Sequence, residues 1–223
     1  MTSFVLKIIA CVTMFIDHLS YGLFGKVTWL NYIGRIAFPI FAFQIVEGYT
    51  HTNNLKKYFL RLIVFAFISE IPFYLFHNIA SKGFALNVMF TLCLGLLCIM
   101  LWEKVSNKFV AIYAIATCAI VAEATNMDYG YWGVLLVFMF YLCRNSKVAT
   151  SIGFIGMLLL NYLPHMIRTN FDYRYILLFI GTLSALIPIL LYNGEQGKKI
   201  KYFLYIFYPV HLLLLYGVHI LIS

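Results

Sequence analysis

Asn87-Val88-Met89-Phe90-Thr91-Leu92-Cys93-Leu94-Gly95-Leu96-Leu97-Cys98-Ile99-Met100-Leu101-Trp102 is a run of sixteen residues without a charged side chain. A helix that crosses a bilayer needs about 20 mostly apolar residues, and the pattern repeats on both sides of this run. Polar breaks separate the repeats at His51-Thr52-Asn53-Asn54, 78–83, 103–108, 126–130, 144–147 and 193–199. Reading outward gives spans at 4–24, 33–50, 58–76, 87–102, 109–124, 130–143, 149–163, 175–192 and 202–221. The expected fold is all-α, a polytopic membrane bundle of about nine transmembrane helices with short loops. It forms a single domain over 1–223.

Composition points the same way. Of 223 residues, 63% are hydrophobic and 11% charged, with a mean hydropathy of +0.90. A soluble domain is about 25% charged, so this chain cannot cover a water-facing surface. The net charge of +8 is read as loop charge rather than a nucleic-acid surface, because the basic residues sit between apolar runs. The five cysteines form no CxxC pair and read as small buried hydrophobes. No metal-ligand spacing, Walker loop, GxSxG or GxGxxG is present. Lys7 and the apolar run after it resemble a signal peptide, but Asp17-His18 interrupts the run and no A-x-A-like site follows. The segment is expected to stay as the first helix.

Basic residues favour cytoplasmic loops. With the N-terminus inside, Lys7, Lys56, Lys57, Arg61, Lys104, Lys108, Arg144, Lys147, Lys198, Lys199 and Lys201 face the cytoplasm. Lys26, Arg35, Lys82, Arg168 and Arg174 face the other side, eleven against five.

Titratable groups inside spans are costly and mark candidate sites. Lys7 lies eleven residues, about three turns, before His18, so the two share a helix face about 16 Å long. His18 could act as a base, with its tautomer biased by a carboxylate. Adjacent helical residues point about 100° apart, so Asp17 need not be its partner. Arg35 precedes Pro39, which tends to kink a helix; it could hold an anion or pair with Asp17. Glu47 and His51 share a face near Lys56, Lys57 and Arg61, a candidate dock for an anionic cosubstrate. Glu70 precedes Pro72, and His211 follows Pro209 in the last span. Asn87 and Thr91 read as interhelical polar contacts, and His77, His165 and His219 as peripheral.

These blocks resemble the TraX family of bacterial membrane proteins. The resemblance is carried by residues 6–10 and 14–18, by Ile33-Gly34-Arg35-Ile36-Ala37-Phe38-Pro39-Ile40-Phe41-Ala42-Phe43, by Glu47-Gly48 to Asn53, and by Tyr58 to Leu62. Ser69-Glu70-Ile71-Pro72-Phe73, residues 87–92 and Tyr205 to His211 complete it. It implies an acetyltransferase of the bacterial inner membrane, associated with N-terminal acetylation of pilin, with acetyl-CoA as the donor. The spacing of Lys7 and His18 is also similar to that of other membrane acyltransferases, which carry a basic residue eleven before a His. Lys here in place of Arg removes a bidentate phosphate contact.

The expected mechanism docks acetyl-CoA at Lys7, Glu47, His51, Lys56, Lys57 and Arg61. His18, with Asp17, deprotonates an acceptor amine of a peptide or small molecule, and Arg35 steadies the oxyanion. Glu70 and His211 complete the catalytic set. Neither a metal nor a nucleic-acid partner is expected; substrates and membrane lipid are. The rival readings are a small-solute transporter, since intramembrane charges and prolines suit one equally, and a non-catalytic assembly factor. No internal repeat is visible.

Overall fold

The computed structural model describes residues 1–24, 29–80, 83–198 and 202–222. Of the charges counted for orientation, Lys26, Lys82, Lys199 and Lys201 lie outside the described residues. Eleven helical segments make nine rods among the described residues. They are α1 (Ser3–Phe24), α2 (Trp29–Gly34) continued by α3 (Ala37–His51), α4 (Leu55–Ala80), α5 (Val88–Lys104) and α6 (Lys108–Ala124). Then come α7 (Gly130–Cys143), α8 (Lys147–Arg168), α9 (Tyr173–Leu183) continued by α10 (Leu186–Leu190), and α11 (Phe203–Ile222). The rods match the nine expected spans to within a few residues at most ends.

Local chemistry sets the boundaries. Asn87, Asn107, Ser146 and Asp172 each cap a helix, their side chains accepting hydrogen bonds from first-turn N–H groups of α5, α6, α8 and α9. The two broken rods share one cause. Proline has no N–H and crowds the carbonyl four residues back. Pro39 and Pro188 are each the third residue of a helix, α3 and α10, so the chain breaks beside Arg35 and Ser184, the residues four before them. The prolines then occupy a first turn, where no intrahelical donor is needed.

Six rods are long and apolar enough to cross a membrane. The protein is a multi-pass membrane bundle. Large apolar side chains cover its outside, including Phe67, Ile71, Leu160, Ile180 and Leu214. The interior is packed from Leu6, Ile40, Leu96, Leu136, Phe140, Phe154 and Leu212, all nearly or fully buried. α4 lies against α11, α5 against α6 and α7, and α1 against α2, α3 and α11. Gly95 permits the closest approach of α5 and α7, since a Cβ there would overlap Val137.

α7 is short. Its 14 residues rise about 21 Å, less than the roughly 30 Å hydrocarbon core. The segment before it, 125–129, is irregular, and its residues 126–129 line a cavity, a setting in which a membrane protein tolerates irregular backbone. Here it is tied to the start of α5: Leu86 donates to the Asn126 carbonyl at 3.1 Å, and Asp128 donates to the Leu86 carbonyl at 2.8 Å. Thr91 Oγ1 donates to the Asp128 carbonyl at 2.5 Å.

Candidate functional site

Asp17 and His18, neighbours on α1, serve two different helices. Asp17 faces α2. Its Oδ2 lies 2.5 Å from Arg35 Nη2, and its Oδ1 accepts from Asn31 Nδ2 at 2.9 Å. Asn31 in turn accepts from Ser20 at 2.9 Å. Gly34 sits flush on the Asp17 side chain, where a Cβ would collide with the carboxylate. The expectation that Arg35 could pair with Asp17 is met, and the carboxylate is thereby committed to Arg35 rather than to the imidazole.

His18 faces α11 instead. Its Nδ1 is 2.7 Å from Nε2 of His211, and the rings are nearly parallel at 6°. His211 Nδ1 lies 2.8 Å from the Phe207 carbonyl. A carbonyl only accepts, so His211 carries its proton on Nδ1 and offers a lone pair at Nε2. His18 must then donate from Nδ1, which leaves the lone pair of His18 at Nε2. When neutral, His18 thus has its tautomer fixed by a second histidine, a correction to the expectation that Asp17 or another carboxylate orients it. Phe15, Phe76, Phe207 and Tyr208 surround the two rings.

Below this layer, on the side of the N-terminus, a cavity of about 650 Å³ opens between the loops at 52–54 and 192–198. Lys7, Lys57, Arg61 and Lys198 line it, with Glu47 as its acid. The cavity reaches Met14, one turn before His18, and Tyr208, one turn before His211. Glu47 accepts from Tyr192 at 2.7 Å and lies 3.6 Å from His51. Burial and the Glu47 carboxylate together push the Tyr192 phenol up, so it remains a neutral donor. Gln44, in the same wall, accepts from Ser3 at 2.8 Å.

A second cavity, of about 510 Å³, opens at the opposite end around Arg35, Glu123, Asp128, Tyr129, Trp132 and Tyr162. The two cavities lie back to back. Val88 and Met89 line the first, while Met127 and Asp128 line the second, and Leu86 bonds the segment carrying Met127 and Asp128 directly.

Several expected site residues fall elsewhere. Lys56 does not line the basic cavity, because neighbouring side chains diverge by about 100° on a helix. Glu70 is tied to the α5 cap, accepting from Asn87 Nδ2 at 2.6 Å and from the Asn87 backbone at 3.3 Å. It holds two helices together and does not join His18. Asn87 also donates to the Ala66 carbonyl at 2.8 Å, so its expected role as an interhelical polar contact holds, whereas Thr91 bonds the carbonyl of Asp128 in the loop before α7. His165, expected at the periphery, lines the second cavity. Sequence reasoning missed Asn31, Ser20, Gln44 and Asp128. Asn31 carried a signal, lying four residues before Arg35 in an apolar run and so on the same helix face.

The family model described as TraX protein matches residues 3–219. A relative described as probable fimbrial assembly protein FimC, serogroup H1, from Dichelobacter nodosus is 30% identical over 96% of this chain and 94% of its own length. The uncharacterized protein RP591 of Rickettsia prowazekii (strain Madrid E) is 25% identical over 64% of this chain and 56% of its own length. No solved structure matches. With nearly every residue inside the matched region, the chain belongs to the TraX family.

Proposed function

We propose that the protein is an acetyltransferase of the bacterial inner membrane, moving an acetyl group from cytoplasmic acetyl-CoA to an amine presented from the other side. One observation carries the reading. A basic cavity entered from the N-terminal side ends one turn short of a fixed-tautomer histidine pair, back to back with a cavity entered from the far side. The basic loops at the N-terminal end support a cytoplasmic location for that end.

In this reading Lys57, Arg61 and Lys198 hold the donor's phosphates at the cavity mouth, and Lys7 lies deeper along α1. The thioester enters toward Met14 and Tyr208. The acceptor nitrogen attacks the thioester carbonyl carbon, forming C–N as C–S breaks. Its proton passes to Nε2 of His18 and then to the departing thiolate. The charge gained by His18 is shared along Nδ1–H to His211 and on to the Phe207 carbonyl. Arg35, held by Asp17, faces the acceptor side. The relative named for fimbrial assembly fits an acceptor that is a pilin or another polypeptide N-terminus.

Back-to-back cavities also favour a second reading, alternating-access transport of a small solute. Purified protein in proteoliposomes with labelled acetyl-CoA and candidate amines separates the two. Label moving to the amine supports transfer. Solute flux with no consumption of acetyl-CoA would establish transport and end the enzymatic reading.

A further inference from the structure

The two cavities differ in sign. Lys7, Lys57, Arg61 and Lys198 face a single acid, Glu47, in the N-terminal cavity. In the far cavity Arg35 faces two acids, Glu123 and Asp128, and its charge is already engaged by Asp17 at 2.5 Å. Among the described residues no basic side chain forms an ion pair with Glu123 or Asp128. The far cavity is therefore an anionic pocket. An anionic ligand would be repelled there, and a neutral one would leave the two carboxylates without a countercharge in the cavity. A cation resolves both problems.

The walls suit a small organic cation. Trp132 is fixed by a 2.7 Å hydrogen bond from its indole N–H to the Met157 carbonyl. Tyr162 is held to Thr182 at 2.8 Å. Tyr129 is stacked on Phe38 with ring centroids 3.7 Å apart. Positioned aromatic rings attract ammonium groups, and about 510 Å³ is the size of a small-molecule site. We infer that the far cavity recognises a primary ammonium group, with Glu123 and Asp128 as its anionic partners and Trp132 and Tyr162 as its aromatic walls. Resting on the acetyl-transfer reading, this ammonium is the acceptor as it arrives, before it gives up to bulk water the proton that blocks attack; the second proton, released as the C–N bond forms, is the one His18 takes. A polypeptide N-terminus and an amino sugar both present that chemistry.

Calorimetry on the full chain in nanodiscs tests it with L-alaninamide, a tripeptide amide and D-glucosamine as ammonium probes, and N-acetyl-L-alaninamide as the uncharged control. The ammonium probes bind, and the control binds at least tenfold more weakly. Glu123→Gln and Asp128→Asn each weaken the ammonium probes about tenfold, as expected for losing a charge-assisted hydrogen bond, and leave CoA binding unchanged. The glutamine at 123 keeps an oxygen for the Tyr131 N–H that Glu123 accepts at 3.3 Å, so that variant stays informative if Asp128→Asn misfolds. Equal affinity for the control, or unchanged ammonium affinity in a folded Glu123→Gln, overturns the inference. Ammonium binding without CoA binding would keep the site and remove the acetyl-transfer reading. The tighter of the tripeptide amide and glucosamine names the source.

Discussion

The N-terminal and far cavities are similar in volume and opposite in construction. The first is built at helix ends, from charges in plain sight: Lys57 and Arg61 on the opening turns of α4, Lys7 near the start of α1 and Lys198 in the last loop. The second is built around an irregular segment. Asn126 and Tyr129 adopt positive φ of 50° and 65°, conformations that cost energy for residues other than glycine. Backbone bonds to Leu86 hold the segment in place. The contrast separates two tasks. Positive charge at a membrane surface is easily supplied by helix ends and loops, whereas an acidic pocket beside an irregular segment requires the fold to stabilise unusual backbone.

The largest effect should come from the layer between the cavities. His18→Ala is expected to lower acetyl transfer by about 10²- to 10⁴-fold, the usual contribution of a positioned base, while CoA affinity stays within about twofold. Single-turnover transfer alongside equilibrium CoA binding checks this. His211→Phe, which keeps a ring but removes the Nε2 acceptor, should lower transfer in the same direction. Transfer by His211→Phe at the wild-type rate would show that the histidine pair is packing rather than chemistry.

Next in size is the ion pair that separates the anionic pocket from α1. Arg35 and Asp17 are mostly buried, their side chains 20% and 9% exposed. Removing one partner of a buried pair costs about 3–5 kcal/mol. Asp17→Asn should therefore unfold well below the wild type in detergent, and Asp17→Asn with Arg35→Met should recover much of the loss. A double variant no more stable than Asp17→Asn alone would mean that Arg35 has other anchors that compensate its charge.

The rods were legible because lipid-length apolar runs and capping residues are local signals. The break before Ala37 was half legible, since Pro39 announces it but the pairing of Arg35 with Asp17 depends on where α2 docks. The histidine pair was hidden for a different reason. His18 and His211 are 193 residues apart, and no period in one chain relates the first helix to the last. Asp17 offered a nearer partner, and adjacency in sequence is a poor guide on a helix. The far cavity was least legible of all, because Glu123 reads as a helix-end charge and Asp128 as an ordinary loop residue until the bridge to Leu86 ties that segment to the start of α5.

The smallest effect tests the basic cavity at single-residue resolution. Lys56 and Lys57 are adjacent and identical in chemistry, and the sequence groups them as one phosphate dock. Four residues separate Lys57 from Arg61, which puts both on one face of α4, and both line the cavity. Lys56 points about 100° away and does not line it. A solvent-accessible charge contact is worth about 0.2–1 kcal/mol, so Lys57→Ala should weaken CoA binding by only about two- to fivefold. That loss should shrink as salt rises and the charges are screened. Lys56→Ala should leave affinity unchanged at about 0.1 M salt and above, because a long-range field contribution is screened there beyond about 10 Å. Equal losses from the two substitutions would mean that the loop attracts the donor as diffuse charge, and that the cavity wall does not choose between its lysines.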